Sequence, residues 1–444
     1  MVKIGFLQVT NPLDVQWFPP LAFGHLKAYV EREFGGEVDF FRLTEEELFH
    51  GSFDLLTIST ASQDFGDCRD LIQRFRKINP DCPIILGGHH ITYLPDTLPP
   101  EVNAGVMGEG EVTLGEIIRV FMRENGKLPS REIAKVSGLV YWGDGRIAKT
   151  IPRPFIQNLN TLPMPFRAMN EVPYLFSSRG CPFRCAFCTS SAFWGRMRYF
   201  SAEYVVREIE QIVEQYGEKL THLTFMDDLM SLNRPRLRKM ASLLKERGLT
   251  QKVNFSLAVK AGRVDDDLCQ TFKAMNVSAV FFGAESGVDR ILRFLKGDIQ
   301  TVAQNQETIN RLANQQIPVS LSMIVGVPGE REEDVHETYA FVLRNLKEGK
   351  IFAASVNILM PMPGTPIWDQ AIQLGVFDLL NIEWHRLRVF AYYKNSSIPD
   401  ISQWVHFREK NQSYYLNDPC LPSEKLLSLM EEYENRINKE AGSG

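Results

Sequence analysis

Ser178-Arg179-Gly180-Cys181-Pro182-Phe183-Arg184-Cys185-Ala186-Phe187-Cys188 places three of the chain's seven cysteines in a C-x-x-x-C-x-x-C run. Three thiolates at this spacing can converge on one face of a cubane iron–sulfur cluster, whose usual ligation takes four cysteines. One iron would then stay open to another ligand. Zinc is the competing chemistry, but a tetrahedral site takes a fourth Cys or His, usually from a second short pair. No other C-x-x-C and no H-x-x-x-H run occurs in the sequence. The remaining cysteines, Cys68, Cys82, Cys269 and Cys420, are scattered, and in a reducing compartment each reads as a small buried hydrophobe rather than half of a disulfide.

Such a loop needs a strand to deliver it and helices to hold it. From Pro173 onward short apolar stretches alternate with amphipathic ones, giving expected strands at 174–178, 220–226, 253–259, 279–283, 319–325 and 355–360. Residues that can do chemistry recur at their C-terminal ends. Asp227-Asp228 follows the second strand, and Lys260 follows the third with Arg263 three residues on. Glu285-Ser286-Gly287 follows the fourth, and Gly326-Val327-Pro328-Gly329 the fifth. Six such βα units predict a partial, open (β/α)6 barrel with active groups at the strand C-termini. Bland roles compete at two places: Asp227-Asp228 can cap the next helix, from Asn233, and Cys269 reads as core.

Residues 1–135 show the same alternation, with strands at 3–9, 38–43, 54–60, 83–86 and 105–107 and helices at 21–32, 65–78 and 113–125. A proline-bracketed loop runs from Asn11-Pro12 to Pro19-Pro20. Apolar strands between amphipathic helices predict an α/β fold with a doubly wound, Rossmann-like parallel sheet. Ligands of such sheets sit outside the carboxyl ends of the strands. Ser59-Thr60, Gly87-Gly88-His89-His90 and Gly108-Glu109-Gly110 all fall there, and glycine lets the backbone approach a bulky ligand closely. His89 and His90 can equally cap backbone groups or face solvent. A hairpin around Gly143-Asp144-Gly145 and the prolines of Ile151-Pro152-Arg153-Pro154 and Leu162-Pro163-Met164-Pro165 mark 136–170 as a linker. The barrel then spans 171–366. A small, mainly helical, substrate-shaping segment fills 367–444, with a last helix at 421–437 and a frayed tail. This segment is rich in aromatics and His: Trp384, His385, Phe390, Tyr392, Tyr393, Trp404, His406, Phe407, Tyr414 and Tyr415. They read as buried packing or as the wall of a substrate pocket.

Together these motifs resemble the class B, cobalamin-dependent radical S-adenosylmethionine (SAM) enzymes. The cysteine run, with aromatic Phe187 before its last cysteine, is similar to the radical SAM cluster loop. Gly87-Gly88-x-His90, Pro95 and Gly108-Glu109-Gly110-Glu111 resemble the family's cobalamin-binding domain, and Asn158-Leu159-Asn160-Thr161-Leu162-Pro163 its linker. The resemblance implies a 4Fe-4S cluster on Cys181, Cys185 and Cys188. It implies SAM at Phe187, Asp227, Asp228, Lys260, Glu285, Ser286, Gly326 and Pro328, and cobalamin at Ser59, Thr60, Gly87, Gly88, His90, Gly108, Glu109 and Gly110. In such enzymes the open iron takes the amino and carboxylate groups of SAM, which an electron from the cluster cleaves to a 5′-deoxyadenosyl radical. Two departures stand out. The D-x-H-x-x-G run whose His ligates cobalt in other cobalamin proteins is absent, and Lys260 stands where many relatives carry Arg, offering a point charge without a bidentate fork.

The implied activity is methyl transfer from methylcobalamin to an unactivated carbon or phosphorus centre, with one SAM as radical source and a second remethylating cobalamin. Cyclisation, rearrangement or oxidation without methyl transfer is the alternative. Methylthio transfer would need three further cluster cysteines upstream, and only Cys68 and Cys82 precede Cys181. A non-catalytic cobalamin or cluster sensor would not need Asp227, Glu285 and Gly326 at successive strand ends. The resemblance further implies a small-molecule or peptide substrate and an electron donor such as flavodoxin or ferredoxin. At 444 residues, 44% hydrophobic and 23% charged, the chain reads as two or three globular domains. A net charge of -5 gives no reason to expect nucleic acid. With no run of about 18 apolar residues and no leader-like start at Met1-Val2-Lys3-Ile4-Gly5-Phe6, a cytoplasmic protein without a membrane span is expected.

Overall fold

A computed structural model describes residues 1–10, 21–169, 171–387, 414, 416 and 420–441. The loop at 11–20 and the aromatic positions Phe390, Tyr392, Tyr393, Trp404, His406, Phe407 and Tyr415 lie outside the described residues. The chain divides into two units. One comprises Met1–Val172 with Phe193–Gly195 and Glu383–His385, and the other holds the remainder.

In the first unit β1 (Val2–Val9), β2 (Val38–Arg42), β3 (Leu55–Thr60), β4 (Ile84–Gly87) and β5 (Ala104–Val106) run parallel in the order β2-β1-β3-β4-β5. These strands read as nearly unbroken apolar runs because both sheet faces are covered. Ile4, Leu55, Leu56 and Ile84 are fully buried. Helices Leu21–Phe34 and Glu111–Arg123 contribute Phe23, Val30, Leu114, Ile117 and Ile118 to the core around Phe6 and Phe40. Strand order reverses between β1 and β3, the kind of switch point where open α/β sheets bind ligands. The hairpin read as linker instead continues this sheet: β6 (Leu139–Gly143) pairs antiparallel with β5 and with β7 (Arg146–Lys149). Its two-residue turn has φ 51° at Asp144 and 74° at Gly145, the left-handed pair that suits the twist of a tight hairpin. Fully buried Leu139 and Val140 anchor it.

In the second unit β8 (Tyr174–Leu175), β11 (His222–Phe225), β12 (Asn254–Ala258), β13 (Val277–Glu285), β14 (Val319–Val325) and β15 (Ala353–Ile358) form a parallel sheet in sequence order, the open (β/α)6 arrangement. The first strand is shorter than expected because β9 (Ser178–Arg179) leaves it to pair antiparallel with β10 (Arg198–Tyr199). Ser201 caps the helix Ala202–Tyr216 by accepting the Tyr204 N–H at 3.2 Å. Asn233 caps Arg234–Glu246 in the same way, so Asp227 and Asp228 are released from that duty. Helix Ser423–Ala441 lays Tyr433 flat on Tyr339 at 4.3 Å between ring centroids. Among the described residues no helix is long and apolar enough to cross a membrane.

Candidate active site

The cysteine loop is tied to its neighbours through backbone bonds. The Ala186 N–H donates to Leu295 O at 2.8 Å, Ala186 O accepts the Ile367 N–H at 3.2 Å, and the Cys188 N–H donates to Cys185 O at 3.2 Å. All three thiols are half-buried. Burial raises each pKa, that of Cys181 to about 11, and neighbouring N–H groups oppose this: Phe183 donates to Cys181, and Ser190 and Ser191 to Cys188. Such N–H···S bonds stabilise thiolate and help set the potential of a bound cluster. Beside Cys185 lie Lys296 and Lys260, which favour its thiolate, and Glu285, which opposes it. Among the described residues no three His, Cys, Asp or Glu side chains are spaced to hold a single metal ion. Thiolates on separate irons of a cubane need no such convergence. The three soft sulfur donors and their N–H partners fit an iron–sulfur cluster.

The strand ends give different roles to residues that the sequence reads alike. Asp227 is 3% exposed and its carboxylate accepts the Ser177 N–H at 2.8 Å, the Ser177 hydroxyl at 2.9 Å and the Ser178 hydroxyl. Burial nevertheless raises its pKa to about 6. It is a clamp for the segment entering the cysteine loop. Asp228 is exposed and bonded to the Ser190 hydroxyl, so it is the member of the pair able to meet an ammonium. Lys260 donates to Gln300 Oε1 at 2.9 Å and Ile299 O at 3.2 Å. It lies 4.8 Å over the Phe183 ring, and burial lowers its pKa to about 8. Arg263, three residues on, is exposed. Glu285 is buried at φ 62° and paired with Lys296. Ser286 is fully buried, with its hydroxyl in the turn between the Val288 N–H and Thr338 Oγ1. Phe187 is half-buried in the cysteine loop, and Pro328 is half-buried next to the Gly326 turn.

Three residues escaped the sequence reading. Glu330 Oε2 accepts the N–H of Gly326 at 2.5 Å and of Val327 at 3.1 Å, holding Gly326 at φ 77°. Its position as fifth residue of Gly326-Val327-Pro328-Gly329-Glu330 was the available signal. Arg236, buried, donates to Phe200 O and Ser177 O at 2.6 Å. Lys296 is the third, and no spacing in the sequence relates it to Glu285.

In the first unit, Gly88 at φ 99° stands where an added Cβ would lie 2.4 Å from Thr60 O and 3.1 Å from Ser59 Oγ, so the ends of β3 and β4 require glycine. Ser59 is half-buried and Thr60 buried, its hydroxyl bonded to Ala61 O. Gly87 pairs with Ser59 across the ladder. Thr92 Oγ1 donates to Gly88 O at 2.8 Å and accepts the Gly108 N–H at 3.0 Å, strapping the two glycine turns together. Beside Gly108, at φ 82°, a Cβ would meet nothing within 4 Å. Glu109 accepts the Ile156 N–H at 2.7 Å and so anchors the segment after the hairpin. Gly110 precedes the helix Glu111–Arg123.

His90 is fully buried and stacks on Phe65 at 3.6 Å. Its ring nitrogens lie 3.0 Å from Ser62 Oγ and 2.9 Å from Thr97 Oγ1. Thr97 already donates its proton to Leu94 O, so His90 Nε2–H donates to Thr97 and Nδ1 accepts from Ser62. Burial lowers its pKa to about 3. A bond from either nitrogen to a metal would cost one of these partners. Nearby Gln63 Oε1 is buried and takes no hydrogen bond. Open space at Gly108 and an acceptor awaiting a donor, both at the carboxyl edge of the sheet, fit a bulky ligand bearing amides such as cobalamin.

Known proteins supply the same division. The Radical SAM superfamily matches residues 175–342, and the B12 binding domain matches residues 18–118. A Pyrococcus horikoshii protein named as an uncharacterized methyltransferase, PH0819, is 29% identical over 82% of this chain and 77% of its own length. The anaerobic magnesium-protoporphyrin IX monomethyl ester cyclase of Cereibacter sphaeroides is 26% identical over 73% of this chain. That alignment spans only 54% of the cyclase. Among solved structures, the cobalamin-dependent S-adenosylmethionine radical enzyme OxsB, with aqua-cobalamin and S-adenosylmethionine bound, superposes with a TM-score of 0.71. It does so over 99% of this chain and 72% of that one at 14% identity, a likeness of fold. With a cluster loop and SAM-type strand ends in one unit and a cobalamin-type sheet in the other, the chain joins a Radical SAM superfamily domain to a B12 binding domain, the pairing found in cobalamin-dependent radical SAM enzymes, and its cofactors are a 4Fe-4S cluster, SAM and cobalamin.

Proposed function

We propose that the chain methylates a carbon or phosphorus centre that lacks an acidic proton. The observation that carries this reading is the union, in one chain, of the three-thiol loop with a cobalamin-type cradle whose histidine is already bonded through both nitrogens. When bound, the cluster with SAM supplies a 5′-deoxyadenosyl radical, and cobalamin carries the methyl group taken from a second SAM. For a carbon centre the sum is one C–H bond broken and one C–CH3 bond formed. Two SAM and two electrons are consumed, giving 5′-deoxyadenosine, methionine and S-adenosylhomocysteine.

The protein's own part is to bind and orient. Cys181, Cys185 and Cys188 hold the cluster. Asp228 takes the SAM ammonium, and Lys260, still protonated at neutral pH with its pKa near 8, offsets the carboxylate. Glu285 receives the ribose hydroxyls, with Ser286 fixing its turn. Gly326, held open by Glu330, gives the adenine a flat seat next to Pro328. The three thiols of the cluster loop and the need for low-potential electrons suit a reducing, cytoplasmic setting with a flavodoxin- or ferredoxin-type donor, and the net charge of -5 disfavours a nucleic-acid substrate.

The cyclase relative favours a second reading, oxidation or cyclisation with no methyl gained. Anaerobic reconstitution and incubation with S-adenosyl-L-[methyl-d3]methionine separates the two. A product heavier by CD3 in place of H supports methyl transfer, and a product that has only lost hydrogen supports the second. Cys185→Ala should abolish 5′-deoxyadenosine formation in either case. Persistence of SAM cleavage in that variant would remove the cluster from the mechanism.

A further inference from the structure

The two faces of the barrel sheet differ sharply. Leu223, Phe255, Val280, Leu321 and Met323, on the face covered by helices, are at most 2% exposed. The opposite face is the inner one, which bulky branched residues commonly fill in closed barrels. Here the registers Thr224↔Ser256, Ser322↔Ser355 and Ile324↔Asn357 line it with hydroxyl and amide groups, and Ser320 shares the face two residues before Ser322. Charge is nearly missing from these five strands: Glu285 is their only Asp, Glu, Lys or Arg, at the carboxyl end of β13.

The polar groups on the two sides of this wall are not equally provided for. Toward β11–β13 they bond to each other, Thr224 Oγ1 to Ser256 Oγ at 3.0 Å, His222 Nε2 to Ser256 Oγ at 3.0 Å, and Ser278 Oγ to Asn254 Oδ1 at 2.8 Å. Toward β14–β15 the Asn357 amide reaches Ser322 Oγ at 3.4 Å. Its Oδ1 is buried and takes no hydrogen bond, on a residue 8% exposed. A buried acceptor without a donor is a standing penalty that a ligand hydroxyl or N–H removes.

We infer that the molecule methylated is an uncharged, hydroxyl-rich ring, of the sugar or nucleoside kind, seated along β14–β15 with Asn357 Oδ1 accepting one of its hydroxyl protons. This rests on the methyltransferase reading of the same site. A charged substrate would meet no counter-charge on this wall, and an apolar macrocycle would strip water from Ser322, Ser355 and Asn357 without replacing its bonds.

The test incubates the reconstituted holoenzyme with d3-methyl SAM, a reductant and an extract of the source cells split into three fractions. These are neutral polar compounds, compounds retained on ion exchangers, and chloroform-soluble compounds. A CD3-bearing product in the neutral fraction supports the inference, and its ultraviolet absorbance tells nucleoside from sugar. The CD3 label arising from either other fraction, or no response from the neutral fraction in either CD3 or 5′-deoxyadenosine, overturns it. Stimulation of 5′-deoxyadenosine by the neutral fraction without CD3 in the product supports the substrate class and instead defeats methyl transfer. For the compound found, Asn357→Leu should raise KM about tenfold with kcat little changed, and Asn357→Ser should recover part of the loss. An unchanged KM in Asn357→Leu would remove this wall from substrate binding.

Discussion

Lys296 Nζ lies 3.0 Å from Glu285 Oε1, and this pair holds Glu285 in a left-handed conformation, φ 62°, that a residue with a side chain adopts only under constraint. The side chains are 10% and 7% exposed, and Lys296 also donates to Gly283 O at 2.8 Å. A bulge in the β13–β14 register falls at the same place. Removing one partner leaves a buried charge with nothing opposite. Lys296→Met is therefore expected to destabilise the second unit by about 3 kcal/mol and to weaken SAM binding at least tenfold, because the Glu285 turn loses its anchor. Denaturant unfolding and SAM titration of the same preparation check this. Wild-type SAM affinity in the variant would show that the turn holds without its lysine.

The adjacent carboxylates Asp227 and Asp228 should separate cleanly on mutation. Asp227 receives three donors, all from Ser177 and Ser178, and an amide in its place would turn an N–H2 toward some of them. Asp227→Asn is expected to lose about 2 kcal/mol of stability and to purify with less iron, since it clamps the segment leading to Cys181. Asp228→Asn, exposed and bonded only to Ser190 among the described residues, should change stability by under about 0.5 kcal/mol and raise the KM for SAM. Equal stability losses in both would contradict the assignment.

Glu330 gives a signed pH dependence. Burial raises its pKa from 4.5 to about 7, against the pull of the Gly326 and Val327 N–H groups. The unfolded chain then releases this proton first, so the folded state binds more protons between pH 4.5 and 7. Stability contributed by Glu330 is fully present below pH 4.5 and is lost as pH rises through 7, by about 3 kcal/mol. Asp227 acts in the same direction between 3.8 and about 6. His90 acts oppositely: its pKa is lowered from 6.5 to about 3, so its contribution is present above 6.5 and lost as pH falls. Because these overlap, the difference between wild type and Glu330→Gln isolates the one group. The variant keeps an acceptor for Gly326 and should flatten the unfolding free energy between pH 4.5 and 7. A parallel shift with unchanged slope would mean that Glu330 does not titrate in this range.

The architecture was legible because period-two and helical patterns are local, and the cysteine loop because three thiols in eight residues carry few structural meanings. What the sequence concealed were relations set by packing. Asp227 and Asp228 are identical in type and adjacent, yet one faces Ser177 and the other solvent. His90 looked available and is bonded at both nitrogens. Lys296 meets Glu285 only because the helix Asp289–Lys296 folds back over the end of β13. The hairpin at 139–149 read as linker because prolines follow it, whereas its buried Leu139 and Val140 complete the sheet.

Two glycines at the carboxyl edge of the first sheet distinguish packing from binding. At Gly88 a Cβ would strike Thr60 O at 2.4 Å on backbone that is already left-handed, so Gly88→Ala should destabilise by about 2–4 kcal/mol whether or not a ligand is present. Gly108 is also left-handed, but nothing lies within 4 Å of its added methyl. Gly108→Ala should cost only about 1–2 kcal/mol of backbone strain in the cobalamin-free protein. If cobalamin sits against this turn, the methyl meets it instead. Cobalamin retained by Gly108→Ala, read from the visible spectrum, should then fall at least tenfold while its cobalamin-free unfolding midpoint stays above that of Gly88→Ala. Full cobalamin content in Gly108→Ala would move the cofactor away from the β5 turn and leave Gly88 as a purely structural glycine.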